Sequence, residues 1–220
     1  VAKHSRPRLR WLLIVSPLLL LGALETTNII ASQIAISNWV REGLRYAVTG
    51  LYDSSLCGTP PVLERAAQTL REDGITLIAR TVFTHDVSVE VNANLLRDLD
   101  LAYGKFDCQV KAEISTYFQE KFDDALGEAA RYYSIRKIMQ DVTPPILDSR
   151  YLNITICSDS PGYSYDSTRG QCLPREDAGR SGDHVTIKVI YSYPFGSSLG
   201  ITSGYLYLHA SNTWMVEKYR

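Results

Sequence analysis

The hydrophobic pattern divides the chain into two parts. Trp11 to Leu24 reads WLLIVSPLLLLGAL and carries no charge. Alone it is shorter than the ~20 apolar residues that a helix needs to cross a bilayer. Glu25 interrupts the run, and no further Asp, Glu, Lys or Arg occurs until Arg41. Between them, Ile29, Ile30, Ala31, Ile34, Ala35 and Ile36 keep the segment mostly apolar. The pattern predicts one long helix from Arg8 to about Gly50, with Pro17 as a candidate kink and Gly50 as its stop. Its outer part, Asn38 through Arg45, is amphipathic and is expected to emerge from the membrane.

Beyond Gly50 the period changes repeatedly. Leu51 to Pro61 is rich in breakers and reads as a loop. Pro61 to Asp73 reads as a helix, with Thr59 as candidate cap and Pro61 in the first turn. Ile75 to Phe83 and Val87 to Val91 are β-branched runs around a His85-Asp86 turn. Asn94 to Tyr103 suggests a short helix. From Cys108 to Asp141, Phe118, Phe122, Ala125, Leu126, Ala129 and Tyr133 fall on one face at helical spacing. Pro144 and Pro145 end that helix. Tyr151 to Cys157 alternates as a strand does, and Ser158 to Asp183 reads as a turn-rich surface loop. Val185, Ile187, Val189, Tyr191 and Tyr193 then alternate with mostly polar residues, as in a half-buried strand. Ile201 to Val216 is a second long β segment, expected to pair with the first as an antiparallel hairpin. The fold class is α+β: a long N-terminal transmembrane, pilin-like helix, then helices packed on an antiparallel sheet. The domain division is 1–50 and 51–220.

Charge orients the first helix. Lys3, Arg6, Arg8 and Arg10 precede the apolar run without an acid among them. The remainder, with 19 basic and 24 acidic residues, carries −5. A mildly acidic body provides no electrostatic footing for nucleic acid. A basic flank beside an apolar helix marks the cytoplasmic side. A cleaved signal peptide has a similar start, but no A-x-A-like site follows cleanly. A buried core helix would rarely begin with four basic residues. A single-pass anchor with an extracytoplasmic domain fits best, and the lipid bilayer is then the first partner.

Cys57, Cys108, Cys157 and Cys172 all follow the anchor, and an even count outside the cytoplasm suggests disulfides. Four cysteines allow three pairings. The turn-rich stretch between Cys157 and Cys172 favours joining those two, which leaves Cys57 with Cys108. Zinc is disfavoured, because no C-x-x-C occurs and the histidines do not cluster near cysteines. His4, His85, His184 and His209 are scattered, and no nucleophile elbow, Walker A or H-E-x-x-H motif occurs. No enzymatic activity, cofactor or metal is expected.

Glu25 is the most unusual single residue. A carboxylate among lipid tails costs about 2–4 kcal/mol unless paired or protonated. It either meets a group of a neighbouring subunit or lies at the outer interface. Arg41, Glu42 and Arg45 follow on the emerging helix, as a subunit contact or as a solvated face. Gly43 lies inside that helix at a propensity cost of ~1 kcal/mol, which close helix approach or a hinge would justify.

Two stretches carry a resemblance. SPLLLLGALE, Ser16 to Glu25, is followed about four helical turns later by VREGLRYAVTG, Val40 to Gly50. Near the other end come GDHVTIKVIYSYPF, Gly182 to Phe195, and the terminal TWMVEKYR. In order and spacing these resemble the TadE-like proteins of the bacterial Tad (Flp) pilus system. That family typically shows a Leu-rich run closed by an acid, then a sequence close to A-R-E-G-A-R-Y-A-V-T-G. A G-D-x-V-T-V-x-V-x-Y-x-Y-P-F strand and an M-x-x-E ending follow. Met215 and Glu217 stand one residue closer than that ending. Residues 51–180 match no motif and would be an insertion, with 181–220 as the C-terminal hairpin. Processed members are cut after a Gly five residues before the acid. Here that position is Leu20, which argues against processing by that route.

The resemblance implies a membrane-held, pseudopilin-like subunit acting in assembly of a Tad/Flp-type pilus or filament. Its implied partners are other pilin or pseudopilin subunits, copies of itself, and the Tad secretion machinery. A rival expectation is an envelope-anchored adhesin that uses a tyrosine-rich sheet, drawing on Tyr163, Tyr165, Tyr191, Tyr193, Tyr205 and Tyr207.

Overall fold

The computed structural model describes residues 7–80, 86–103, 108, 116–166, 171–180, 182–196 and 204–217. The first helix, α1 (Pro7–Val48), runs 42 residues without a break and contains Pro17. At 1.5 Å per residue it is about 63 Å long. It ends where expected, in a Thr49-Gly50 turn with Gly50 at φ 65°, a conformation that suits glycine.

Three helices and a two-stranded ribbon follow. The second helix, α2 (Pro60–Glu72), has Thr59 at its cap position. The Thr59 hydroxyl makes no cap bond there. It donates instead to the Leu56 carbonyl at 2.7 Å, while the Thr59 carbonyl accepts from the Val62 and Leu63 amides. Strands β1 (Thr76–Arg80) and β2 (Asp86–Glu90) pair antiparallel, Thr76 opposite Glu90. Asp86 belongs to β2, and His85 lies outside the described residues. Then come α3 (Ala93–Tyr103), opened by Asn92 Oδ1 accepting from the Leu95 amide, and α4 (Thr116–Asp141). The expected start of α4 near Cys108 falls largely outside the described residues.

The main sheet has three antiparallel strands in the order β3 (Leu152–Ser158), β6 (His184–Phe195), β7 (Gly204–Met215). The small hairpin β4 (Ser164–Asp166) and β5 (Gln171–Leu173) lies between β3 and β6 in sequence. Along β6 the alternation is strict. Val185, Ile187, Val189, Tyr191 and Tyr193 are buried, and the residues between them are not. One face of the sheet therefore packs inward, as period-2 patterning requires.

Two hydrophobic cores share α4. The sheet-side core gathers Ile36, Trp39, Val40 and Leu44 of α1, Tyr132, Ile135 and Met139 of α4, and the inward face of the sheet. The helical core gathers Val62, Leu63, Ala66, Ala67 and Leu70 of α2 with Leu96 of α3 and Phe122, Ala125, Leu126 and Ala129 of α4. The predicted apolar face of α4 is thus its helical-core face. Its second buried face, through Ile135 and Met139, was not expected.

The segment 158–183 departs from its reading as a surface loop. Its returning limb is buried at Asp177 (1 % exposed), Ala178 (0 %) and Gly179. The physical reason is polar. Asp177 is tied to the protein interior by several hydrogen bonds, and these hold an otherwise turn-rich segment against the core.

Candidate functional site

The site begins where α1 stops being bare. From Leu18 to Leu24 the helix projects from the body: Leu18, Leu19, Leu20 and Leu24 are between 50 % and 69 % exposed. At Glu25 this changes abruptly. Glu25 is buried, and its Oε1 accepts a hydrogen bond from the Gly196 amide at 2.8 Å. Gly196 follows directly on β6, so the acid holds the end of the hairpin against the helix. Further along, the Gln33 side chain donates to the His209 carbonyl of β7 at 2.9 Å. The Val48 carbonyl accepts from the Glu217 amide at 3.0 Å. These three ties lay β7 alongside α1, both running in the same direction. The outer half of α1 is the spine of the domain.

The other positions singled out on α1 separate cleanly. Arg41, Glu42 and Arg45 are exposed. Gly43 is buried, and a Cβ there would stand 2.9 Å from Met139 Sδ. The glycine is therefore occupied by close approach of α1 to α4 within the chain. Beside it the Trp39 indole donates to the Met139 carbonyl at 2.9 Å, the polar partner that a buried tryptophan needs. Ile30 (54 %) and Ile34 (56 %) are exposed on α1 beyond Glu25. With Arg41 and Arg45 they recur at helical spacing and form an outward stripe, apolar near Glu25 and charged further along the helix.

The cysteines pair as the turn-rich spacing suggested. Cys57 joins Cys108 and Cys157 joins Cys172, with no free cysteine. The first links the segment before α2 to Cys108, which lies between α3 and α4 in sequence. The second ties β5 to the outer face of β3.

A buried polar cluster went unnoticed in the sequence. Glu128 and Arg131 of α4 are 6 % and 3 % exposed, and Asp177 faces the same region. Ser158 Oγ and Ser160 Oγ donate to Asp177 Oδ2, and the Gly179 amide donates to it at 3.0 Å. The single Ser160 hydroxyl hydrogen is shared with Asp183, which at 2.5 Å is the nearer acceptor, and Arg180 reaches Glu128 at 3.5 Å and Asp73 at 3.2 Å. Burial, then the nearby Asp177 charge, pushes Glu128 up to about 8. Burial alone would raise Asp177 as well. Hydrogen bonds with Glu128, Ser158 and the Gly179 amide outweigh it and hold Asp177 below the usual carboxylate range. Of these two neighbouring carboxyl groups, Glu128 therefore holds its proton more readily than Asp177. Arg65 stacks on the Tyr132 ring at 3.7 Å and donates to the Glu176 carbonyl, and Tyr132 donates to the Glu176 carboxylate.

This cluster binds the 175–180 limb rather than activating a nucleophile. Its serine hydroxyls are committed to carboxylates, and no histidine belongs to it among the described residues. His184 instead pairs with Asp159 at 2.9 Å on the surface. No group of three His, Cys, Asp or Glu able to hold a metal occurs among the described residues. The signal for the cluster was available. Glu128 and Arg131 fall among the apolar positions of α4 at helical spacing, where a solvated charge is not expected.

The tyrosines do not form one surface. Tyr191 and Tyr193 face the core, at 3 % and 6 % exposed. Tyr205 and Tyr207 face outward, at 50 % and 61 %. With Tyr151 and Arg150 these two line an open groove of about 320 Å³, where Tyr151 and Tyr205 stack at 5.7 Å. Compared with protein-family models, curated proteins and solved structures, the chain matches none. Among the described residues one helix, within residues 15–48, is long and apolar enough to cross a membrane.

Proposed function

We propose that the chain is a single-pass, membrane-anchored, pseudopilin-like (TadE-like) subunit. It acts in assembly, or as a component, of a Tad/Flp-type pilus or extracellular filament. The supporting observation is the division of α1, bare below Glu25 and the spine of an antiparallel sheet above it. A simple tether needs about 20 residues. Here the same helix continues along the sheet to Val48 and keeps an outward stripe at Ile30, Ile34, Arg41, Glu42 and Arg45. That stripe is the surface offered to other subunits or to the secretion machinery. Two disulfides suit an extracytoplasmic domain, since thiols stay reduced in the cytosol.

Fractionation tests the reading. The protein is expected in the cell envelope and in surface filaments removed by shearing. Recovery from the cytosol alone would sink it. Substituting Arg41 and Arg45 by Glu should reduce filament yield while the domain stays folded, because both side chains are exposed.

The adhesin reading draws on the groove at Tyr151, Tyr205 and Tyr207. That groove lies toward the Glu25 end of the sheet, because Tyr205 pairs with Pro194, two residues before Gly196. With α1 in a bilayer, that end faces the membrane, which is the wrong side for a surface receptor. Unchanged glycan or cell binding in a Tyr205→Ala, Tyr207→Ala chain would dispose of this alternative.

A further inference from the structure

We infer that the Glu25 end of the β6–β7 hairpin is a bilayer-contact surface, with Phe195, Tyr205 and Leu206 seated at the headgroup–acyl boundary beside the exit of α1. The inference rests on the membrane-anchored reading of α1. It adds a second, non-helical contact between the domain and the lipid surface.

The first support is geometric. The Glu25–Gly196 bond sets the hairpin end at helix residue 25, and the ties at Gln33–His209 and Val48–Glu217 keep β7 alongside α1 up to its far end. The hairpin cannot swing away from the helix without breaking all three. Helix residues 7–24 would extend about 27 Å at 1.5 Å per residue, close to the ~30 Å hydrocarbon thickness. With the basic residues at the inner face, Glu25 reaches the outer boundary of the bilayer, and the hairpin end reaches it too.

The second support is chemical. The side chains at that end are apolar or aromatic and open to the surroundings: Phe195 is 48 % exposed, Tyr205 50 % and Leu206 41 %. Aromatic rings with one wet edge favour the membrane interface. Between Lys188 and Glu217 the sequence has no Asp, Glu, Lys or Arg, although charged residues make up 21 % of the chain. The hairpin strands therefore bring no charge that would have to be pulled from water on docking, and Arg150, which lines the neighbouring groove, is paired with Asp148. Trp214 and Met215 are also exposed, but they lie at the opposite end of β7. At about 3.3 Å per residue they stand some 30 Å from Tyr205, out of reach of the lipid. Exposure alone does not select the contact surface; position along α1 does.

The test uses the full chain in phosphatidylcholine vesicles, with lipids brominated on the acyl chains as short-range quenchers of tryptophan. Phe195→Trp and Tyr205→Trp each place a probe at the hairpin end, and Ser211→Trp places one higher on the outer face that Tyr205 occupies. The added fluorescence at 195 or 205 should be quenched by brominated lipid about twofold or more relative to that at 211, as for a side chain seated in the interface. At 211 it should be quenched by aqueous iodide instead. Equal iodide quenching at all three sites, with no brominated-lipid quenching at 195 or 205, overturns the inference. Native Trp11 separates the two readings. If its brominated-lipid signal persists, lost only on Trp11→Phe, the anchor stands and the hairpin contact alone has failed. If the parent shows no such signal, anchor and contact fall together.

Discussion

The two cores that meet on α4 are held together by different means. The sheet-side core is built from long elements with strict patterns: the outer half of α1 and the alternating face of β6. Its disulfide, Cys157–Cys172, lies on the outer side of the sheet and joins β3 to the small hairpin. The helical core is built from shorter helices packed through small residues, Ala66, Ala67, Ala125, Ala129 and Ala130, and the Cys57–Cys108 bond closes it from within. Long apolar stripes supply a core by burial alone. Short helices with small contacts bury less area each, and a covalent closure offsets the chain entropy that burial leaves uncovered.

The sharpest way to break the comparison is a charge in the centre of the sheet. Val189 is fully buried on the middle strand, opposite Ile154 and Ala210. Val189→Asp places an unpaired carboxylate among apolar side chains, at a cost on the order of 5 kcal/mol or more. The expected outcome is loss of the whole domain, read as the disappearance of the cooperative thermal transition by circular dichroism. A surviving transition would mean that the helical core folds without the sheet.

Removing the staple should be gentler and more local. Cys57 and Cys108 are 51 residues apart, so the entropic contribution of closing that loop is about 4 kcal/mol at most. In the Cys57→Ala, Cys108→Ala chain, amide exchange should accelerate in α2 and α3 while the amides of β6 stay protected. Parallel loss of protection in β6 would show one cooperative unit rather than two cores.

The two cores also differ in how legible they were. Alternation made β6 readable residue by residue, and its register follows from which face is apolar. The end of α1 was equally plain, since only Gly50 suits the turn. The helical-core face of α4 was read from Phe118 to Tyr133. Its other face, through Ile135 and Met139, is not separable by period because a helix buried on two sides has no single stripe to find. The 175–180 limb was missed for the opposite reason. Its composition is that of a loop, and only its partners, Glu128 and Ser158, draw it inward. Glu25 was recognised as out of place, but its partner, a backbone amide far along the chain, leaves no trace in sequence.

Between the cores lies a titratable joint. Glu128 is held up to about 8, and in the unfolded chain it returns to an ordinary value near 4.3. A raised folded value means that the native state binds the extra proton. Its stabilising contribution is complete below the unfolded value, shrinks above it, and is gone once pH passes about 8. Asp177, held below its ordinary value, works in reverse and loses its contribution as pH falls through the acid range. The joint is therefore most secure in the mildly acidic range. Stability should drop by roughly 4 kcal/mol between pH 5 and pH 9. Glu128→Gln should flatten that alkaline limb. Thermal melts of both proteins across the range would show it, and an unaltered slope in the variant would assign the effect elsewhere.

The smallest expected effect tests what the helix glycine is for. Gly43→Ala gains about 1 kcal/mol of helix propensity. Against that, the new methyl meets Met139 Sδ at 2.9 Å, the far part of a side chain with three rotatable bonds. A rotamer change relieves most of the overlap, so the net change should stay within about 1 kcal/mol of zero. Because Gly43 is buried against α4, no neighbouring subunit can touch it, and filament yield should not respond to the methyl. Arg41 and Arg45, exposed on the outward side of the same helix, should show the reverse: unchanged melting and altered yield. If instead the methyl at 43 lowered filament yield while the melt stayed put, α1 would have to separate from α4 during assembly. The sheet-side core would then be the part of the molecule that opens.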